Sequence, residues 1–260
     1  EAMSHSLKDV YCYQNAFRAD NSNTTKHASE FIMLEMESAF MDLNGLMNCS
    51  EAYFKFVIGE LLKDNLTDLK FFDKMYGKNT LITRLEQVVE KPFNRITYTD
   101  AIVMLQSAYD NDNKLFEVRP EWGIDLRSEH EKHLAENVYK SPVFVTCYPK
   151  KIKSFYMLES DDCEADRVTV ECCDLLFPQV GEILGGSSRE YRYDRLESKM
   201  KECNLFEDKK LQWYLDLRKY GSVITSGFGV GIARLTMFLT CMTNIKVCVE
   251  YPRNIGSIVY

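Results

Sequence analysis

The sequence predicts an α+β fold in which a mostly antiparallel sheet is flanked by helices. Two observations predict it. Strand-like segments come in runs, one near the start and one between about 143 and 186, with helical patterns between and after them. The regular strand–helix alternation of a doubly wound parallel sheet is missing. The size agrees: 260 residues, 45% of them hydrophobic, suffice for one sizeable core and are short for two ordinary domains.

Asp9–Phe17 (DVYCYQNAF) reads as a strand, 18–29 as a polar Asn/Ser/Thr-rich loop, and 30–40 (EFIMLEMESAF) as the returning strand of a hairpin. From Ser50, a possible cap, the period turns helical and puts Tyr53, Phe54, Val57, Ile58, Leu61 and Leu62 on one face. Helices are expected at 100–108, after Thr99, and at 128–139, opened by a Ser128-x-x-Glu131 capping box. Strands are expected at 143–147, 154–158, 168–176 and 182–186, then helices at 192–203 and 208–221. A glycine run, 227–231, leads into a helix to about 242, and 246–250 reads as a last short strand.

Lys+Arg number 32 against Asp+Glu 39, a net charge of −7. This argues against nucleic-acid binding through bulk charge while leaving room for a local basic site. Nine cysteines, an odd count without a CxxC, suggest neither a zinc site nor a disulfide framework, and reduced intracellular thiols are the simpler reading. No apolar run reaches the roughly 18 residues of a membrane span, and no signal-peptide pattern is present. Glu1 stands inside what reads as a helix, so the chain is expected to be the C-terminal part of a longer protein.

Three constellations can carry chemistry. In the hairpin, Arg18, Lys26 and His27 can clamp a phosphate, Asp20 can accept from an amine, and Phe31 can stack on a base. The plainer reading is a solvated loop with a core phenylalanine. In Gly227-Phe-Gly229-Val-Gly231-Ile-Ala-Arg234, glycines before a helix let backbone approach an anionic ligand; close helix–sheet packing explains them equally well. A dinucleotide fingerprint fails, because its third glycine would fall on Ile232 or Arg234. Third, Asp174 and Glu182 on neighbouring strands can share a Mg²⁺ that also touches nucleotide phosphates, and Arg189 can pair with a substrate carbonyl or carboxylate. The alternative is ordinary strand-end charge. His130 and His133 miss the zinc-helix spacing and read as helix-surface residues. Lys150, Lys151 and Lys153 read as a solvated turn, and Cys172 and Cys173 point to opposite strand faces, too far round to bond.

In order, FRADNSNTTKHASEF, WGIDLRSEHE, PVFVTCYPKKIKSFYM, GEILGGSSREYRYD, WYLDLRKYGS and GFGVGIARL resemble the catalytic domain of class II aminoacyl-tRNA synthetases, most closely the asparaginyl ones. Residues 17–31 resemble the class motif 2, 227–235 motif 3, and GEILGGSSRE the asparaginyl signature. The resemblance implies an asparagine–tRNA ligase that uses ATP, L-asparagine and tRNA(Asn) with Mg²⁺, a cytoplasmic homodimer with no membrane association. Arg18 would bind the ATP α-phosphate and the amino-acid carboxylate, and Arg234 the γ-phosphate and one face of adenine. Asp20 would receive the adenine amine, Phe31 would stack on the ring, and Lys26 and His27 would face the outer phosphates. Asp174 and Glu182 would hold Mg²⁺. Glu30 and Arg189 would read the side-chain amide, with Gly185 and Gly229 at the asparagine subsite and Gly231 at the ATP subsite. The chain departs from the family at Asp20 (usually Glu), Lys26 (usually Arg) and Ala233 (usually Glu). The anticodon-binding domain, motif 1 and the loop that grips the ammonium group are not in this sequence. Rival readings are an aspartyl-tRNA synthetase, a synthetase-derived asparagine synthetase, and a binding module that has lost catalysis.

Overall fold

A computed structural model describes residues 1–256 except 162, 164, 165 and 208. Its strands are β1 Asp9–Phe17, β2 Glu30–Ala39, β3 Asn94–Thr97, β4 Val143–Thr146, β5 Cys172–Phe177, β6 Gly181–Ser188 and β7 Thr225–Gly231. They form one sheet in the order β1-β2-β7-β6-β5-β4-β3. All described pairings are antiparallel except β3 with β4, as the α+β reading predicted. The helices are α1 Ser4–Leu7, α2 Leu43–Asp64, α3 Leu66–Phe72, α4 Leu81–Glu90, α5 Tyr98–Asn111, α6 Ser128–Lys132, α7 Tyr193–Glu202, α8 Gln212–Lys219 and α9 Ile232–Thr240.

Strand alternation decides what each face of the sheet does. Phe228 and Val230 of β7, Leu184 of β6, and Cys173, Leu175 and Phe177 of β5 join Phe54 and Ile58 of α2, Leu85 of α4 and Phe238 of α9 in the main core. Aromatic edges lock it, with Phe177 and Phe238 T-shaped at 4.7 Å between centroids. On the other face, Cys172 and Leu176 of β5 and Val143 and Val145 of β4 pack under Tyr98, Ile102 and Leu105 of α5. That cover stops at β5. Over β1, β2, β7 and β6 the second face is open, and the site lies there.

Several expectations need correction. Helix α2 starts at Leu43, not Ser50. The Asp42 carboxylate caps it by accepting from Gly45 N–H at 2.7 Å; Ser50 is buried within it and donates to Met47 O. Thr97 rather than Thr99 caps α5, which starts two residues earlier than expected. Ser128 is the first helical residue rather than a cap, and the segment continues as a π-helical turn, His133–Val138. Residues 154–158 form no strand. They make a turn, Met157 N–H to Ser154 O, with a single bridge to Arg189. Residues 246–250 form no strand either; Ile245–Val247 is a 3₁₀ turn capped by the Asn244 side chain. The glycine run, given no element from sequence, is part of strand β7. His130 is fully buried rather than on the surface, its Nε2 3.0 Å from Val118 O. Position 208, where the helix 208–221 was expected to begin, lies outside the described residues; the helix is described from Gln212.

Candidate functional site

The open sheet face and the loops around it enclose a cavity of about 1370 Å³. Arg18, Asp20, Lys26, His27, Phe31, Asp174, Glu182, Gly185, Arg189, Gly229, Gly231 and Arg234 all line it. Residues from both ends of the chain therefore converge, as predicted. Glu30 is the exception. It is an even-numbered residue of β2, whereas Phe31, Met33, Glu35 and Glu37 reach the cavity. Its carboxylate pairs with Arg253 at 2.8 Å and accepts from Asn15 at 2.9 Å. The expected reader of the substrate amide is thus braced away from Arg189.

Bare backbone makes the floor. In β7, Gly227 and Gly229 sit opposite Glu37 and Glu35 of β2. A Cβ on Gly227 would collide with Glu37 Oε2 and stand 2.5 Å from Met36 O; one on Gly229 would stand 2.5 Å from Met33 Cε. At Gly227 glycine is required, because backbone and the Glu37 carboxylate leave no room for a Cβ; at Gly229 only the flexible end of Met33 would have to move.

At one end, Arg189 is 15% exposed and is gripped by Glu37 through Nε–Oε1 at 2.9 Å and Nη2–Oε2 at 2.8 Å. Its remaining Nη1 donates to Ser187 Oγ at 2.6 Å. Burial works most strongly against its charge, but the bond and charge of Glu37, together with Glu1, outweigh it and raise its pKa. Glu1 lies 4.0 Å away, held by Arg218 and the Tyr214 hydroxyl. Glu35, two residues from Glu37, accepts from Gln14 at 2.7 Å and also faces the cavity.

At the other end, Arg18 lies over the Phe31 ring, 5.3 Å from its centroid. Arg234, from the first turn of α9, donates to Glu182 O at 2.6 Å and lies 3.4 Å from Glu182 Oε2. His27 Nδ1 meets Thr24 Oγ1 at 2.6 Å and Ser22 Oγ at 3.1 Å. Burial first and then the neighbouring Arg234 lower its pKa. Lys26 bonds to Val180 O, and burial lowers its pKa too.

Between the two ends, Glu182 Oε1 and Asp174 Oδ1 converge over Gly185, 3.3 and 3.7 Å from where its Cβ would be. Asp174 Oδ2 is occupied by Lys153 Nζ at 2.6 Å, and that ammonium also lies 4.0 Å from the Tyr148 ring centroid. So Lys153 belongs to the site, not to a solvated turn. Burial, with Glu182 beside it, pushes the Asp174 carboxyl up to about 6 despite Lys153. Behind it Glu131 accepts from Glu182 N–H at 3.2 Å. Burial first and then Glu182 push Glu131 up to about 7. Crowded carboxylates of this kind fit a hard cation. Among the described residues no three His, Cys, Asp or Glu side chains group as a closed cage. The donor set therefore fits a Mg²⁺ shared with substrate oxygens rather than one enclosed by protein.

Sequence reasoning missed Glu35, Glu37, Glu131 and Lys153. An arginine inside a sheet demands an anion, and the odd-numbered acids of β2 were the available signal for Glu35 and Glu37. Nothing local announced Glu131 or Lys153.

The tRNA synthetases class II (D, K and N) model matches residues 1–255. The asparagine–tRNA ligase of Clostridium botulinum is 46% identical over 257 residues, 99% of this chain and 53% of that protein. That of Microcystis aeruginosa is 46% identical over 253 residues, 97% of this chain and 54% of that protein. The chain thus spans about half the length of the curated relatives it matches. Among solved structures, asparaginyl-tRNA synthetase from Pyrococcus horikoshii in complex with asparaginyl-adenylate superposes with a TM-score of 0.87 at 36% identity, covering 99% of this chain and 55% of that one. The Entamoeba histolytica asparaginyl enzyme gives 0.85 at 30%, with the same shares covered. The aspartyl-tRNA synthetase of Entamoeba histolytica, 24% identical, shares the fold at a TM-score of 0.79 over 99% of this chain and 50% of that one. A match over nearly the whole chain, on a site whose convergence the motifs foretold, establishes that this chain belongs to the class II tRNA synthetases of the D, K and N group.

Proposed function

We propose that the chain carries the active site of an asparagine–tRNA ligase, which activates L-asparagine with ATP and passes it to tRNA(Asn). The observation that carries the reading is one cavity with Arg18, Phe31 and Arg234 at one end and the Glu37-gripped Arg189 at the other. This is room for a nucleotide joined to a small polar amino acid. The names of the relatives support the amino-acid assignment.

The substrate carboxylate is itself the nucleophile, so no protein base is needed. Among the described residues, Arg189 and Arg234 already have carboxylate partners and Arg18 has none. Arg18 is therefore the cation free to take the α-phosphate and the attacking carboxylate, swinging off the Phe31 ring that adenine would cover. Holding both in line lowers the barrier by positioning and by fixed charge where negative charge develops. Asp174 and Glu182 would hold Mg²⁺, which supplies charge neutralisation on the phosphates. Asp20, exposed at the loop, receives the adenine amine, and Lys26 and His27 face the outer phosphates. Gly231 leaves backbone close to the ribose side, and Gly185 and Gly229 keep the asparagine floor flat.

For the amide, Arg189 donates to the oxygen. Glu35 takes the place first expected of Glu30, because Glu37 is spent on Arg189 while Glu35 opens on the same cavity. Of the departures at Asp20, Lys26 and Ala233, the last is buried against the core yet also lines the cavity next to Arg234. Cytoplasmic location and a homodimer follow from the resemblance, and no described helix is long and apolar enough to cross a membrane. The test is ATP–pyrophosphate exchange by the intact protein. Exchange driven by Asn and not by Asp is expected. Exchange with Asp would turn the reading to the aspartyl branch, and ATP binding without any exchange would turn it to an inactive module.

A further inference from the structure

Leu196 and Met200 of α7 form a small apolar cluster with Tyr214 and Leu215 of α8. Lys199 stands between them on the buried side of α7 and is 2% exposed. It does not line the main cavity. Burial lowers its pKa although Glu190 Oε2 and Glu159 Oε1 lie 3.4 and 3.6 Å from its Nζ. A leucine there would join the cluster without that cost, since well-packed apolar residues often replace buried charges with no loss of stability. Neither carboxylate depends on the lysine. Glu190 has Arg192 at 2.7 Å, and Glu159 has Lys150 at 2.6 Å. What Lys199 adds is a bond to the main chain: its Nζ donates to Met157 O at 2.5 Å.

That bond falls on the turn beside Arg189. Met157 bridges to Arg189, Leu158 N–H donates to Ser188 O at 2.9 Å, and Glu190 N–H donates to Tyr156 O at 2.8 Å. Phe155 and Tyr156 of the same turn pack on the α7–α8 cluster. The centroid of the Tyr156 ring lies 5.2 Å from the Arg189 guanidinium carbon, and both residues line the main cavity. Glu37 thus holds the edge of the guanidinium while the ring supports its face. We propose that Lys199 is a positioning residue for the asparagine end of the site: by fixing Met157 O it holds the turn from which the Tyr156 ring braces Arg189. The inference rests on the reading of Arg189 as the contact for the substrate amide, and it adds a residue that acts without touching the substrate. Two main-chain bonds tie the turn to the end of β6, and Lys199 ties it to a helix. With that tie the ring keeps its place against Arg189; without it the turn is free to shift about the two bonds.

Lys199→Met tests this in the intact protein. It keeps the length and loses the donor, and Arg192 and Lys150 still balance the two carboxylates, so a folded protein with a lower melting temperature is expected. ATP–pyrophosphate exchange is measured for it, for Tyr156→Leu and for the double variant. The KM for asparagine is expected to rise about tenfold in Tyr156→Leu and about fivefold in Lys199→Met, with the KM for ATP unchanged. Because Lys199 acts through the ring, the double variant is expected to match Tyr156→Leu. Amide hydrogen exchange supplies a readout independent of activity: the bonded Leu158 and Glu190 N–H groups are expected to exchange faster in Lys199→Met than in the wild type. Lys199→Gln, one bond shorter, takes the place of Lys199→Met in every arm should that variant not fold. An unchanged KM for asparagine in a Lys199 variant of lowered melting temperature makes the lysine merely structural and overturns the proposal. So does an equal rise in the KM for ATP, a multiplied effect of about fiftyfold in the double variant, or unchanged amide exchange. Each of these leaves the ligase function standing. A wild type that shows no ATP–pyrophosphate exchange with any amino acid overturns the function instead, and the positioning role then stands or falls on the amide readout.

Discussion

Replacing Glu35 by Gln removes one negative charge from the place where the substrate side chain would lie and keeps nearly the same shape. Asparagine and aspartate are almost isosteric, so the site must tell them apart by charge and by hydrogen-bond direction. Arg189 alone does not discriminate. Its charge is matched by Glu37 through two bonds of 2.9 and 2.8 Å, and its donors suit an amide oxygen as well as a carboxylate. Glu35 supplies the second criterion. It accepts from an amide NH₂ and repels a carboxylate. Two unit charges about 4 Å apart at an effective dielectric of about 20 repel by about 4 kcal/mol. Glu35 is only half-buried and also receives Gln14, so solvent reduces this to about 2–4 kcal/mol, a factor of about 30 to 1000. The assay is ATP–pyrophosphate exchange by the intact protein, with kcat/KM measured for both amino acids. In Glu35→Gln the Asn/Asp ratio is expected to fall by that factor, mainly through a gain with Asp. Parallel decline with both substrates, or no change, would refute the reasoning and return the discriminating charge to another residue.

Arg234→Ala is expected to weaken ATP use by about 2–3 kcal/mol, since a charge-assisted phosphate contact is lost from a partly dry site, with a smaller effect on asparagine; exchange kinetics at varied ATP measure it. Gly227→Ala forces Glu37 off Arg189 and presses on Met36 O, 2.5 Å from the new Cβ; a loss of about 3 kcal/mol or more in denaturant unfolding is expected, together with a raised KM for asparagine. Lys153→Met strands Asp174 without its 2.6 Å partner. The folded protein is expected to lose about 3–5 kcal/mol at pH 8 and to regain part of it towards pH 5 as Asp174, raised by burial, takes up a proton. Glu190 is fully buried; burial works to raise its pKa, but bonds to Arg192 and the nearby Lys199 hold it below the usual carboxylate value. Its contribution to stability is therefore complete above pH about 4.5 and lost as pH falls through the lower folded value, so the melting temperature of Glu190→Gln is expected to depend less on acidification than that of the wild type.

The hairpin of β1 and β2 was legible because alternation and a polar loop are local signals, and the pairing Asp9 to Ser38 through Phe17 to Glu30 follows from them. The strand β7 was not, because Gly227, Gly229 and Gly231 carry no hydrophobic signature. Their meaning lies in what stands opposite them, Glu37, Glu35 and Met33. Residues 154–158 show apparent strand composition in Phe155 and Tyr156, yet Lys153, just before them, is tied to Asp174 and the chain turns. In the site, arginines on motif positions were legible from sequence and their partners were not. Arg189 and Glu37 are 152 residues apart and meet only because β2 and β6 flank β7. Glu30 was misplaced for a related reason. Glu30 follows directly on the loop that carries Lys26 and His27 and looks central in sequence, but its side chain turns to the outside, where Arg253 meets it.

The ionic design of the pocket explains why its sequence departures are compatible with its geometry. Without ligand, Arg189 is matched by Glu37, Lys153 by Asp174, and Arg234 by Glu182. The first two pairs, largely buried, avoid the several kcal/mol that an unpaired charge costs when water is excluded; Arg234–Glu182 is more open to solvent. On the function proposed above, nucleotide binding would be an exchange of partners: the phosphates would take over Arg234, while Glu182 and Asp174 would hold the cation that neutralises them. Lys26 fits this scheme without a fork. A single ammonium can be held by Val180 O and the neighbouring Glu131 and released towards a phosphate, a contact for which a planar guanidinium is not required. Ala233 fits it as well. A glutamate there would lie beside Arg234 and compete with Glu182 for it, whereas alanine leaves Glu182 as the partner that the cation can draw away.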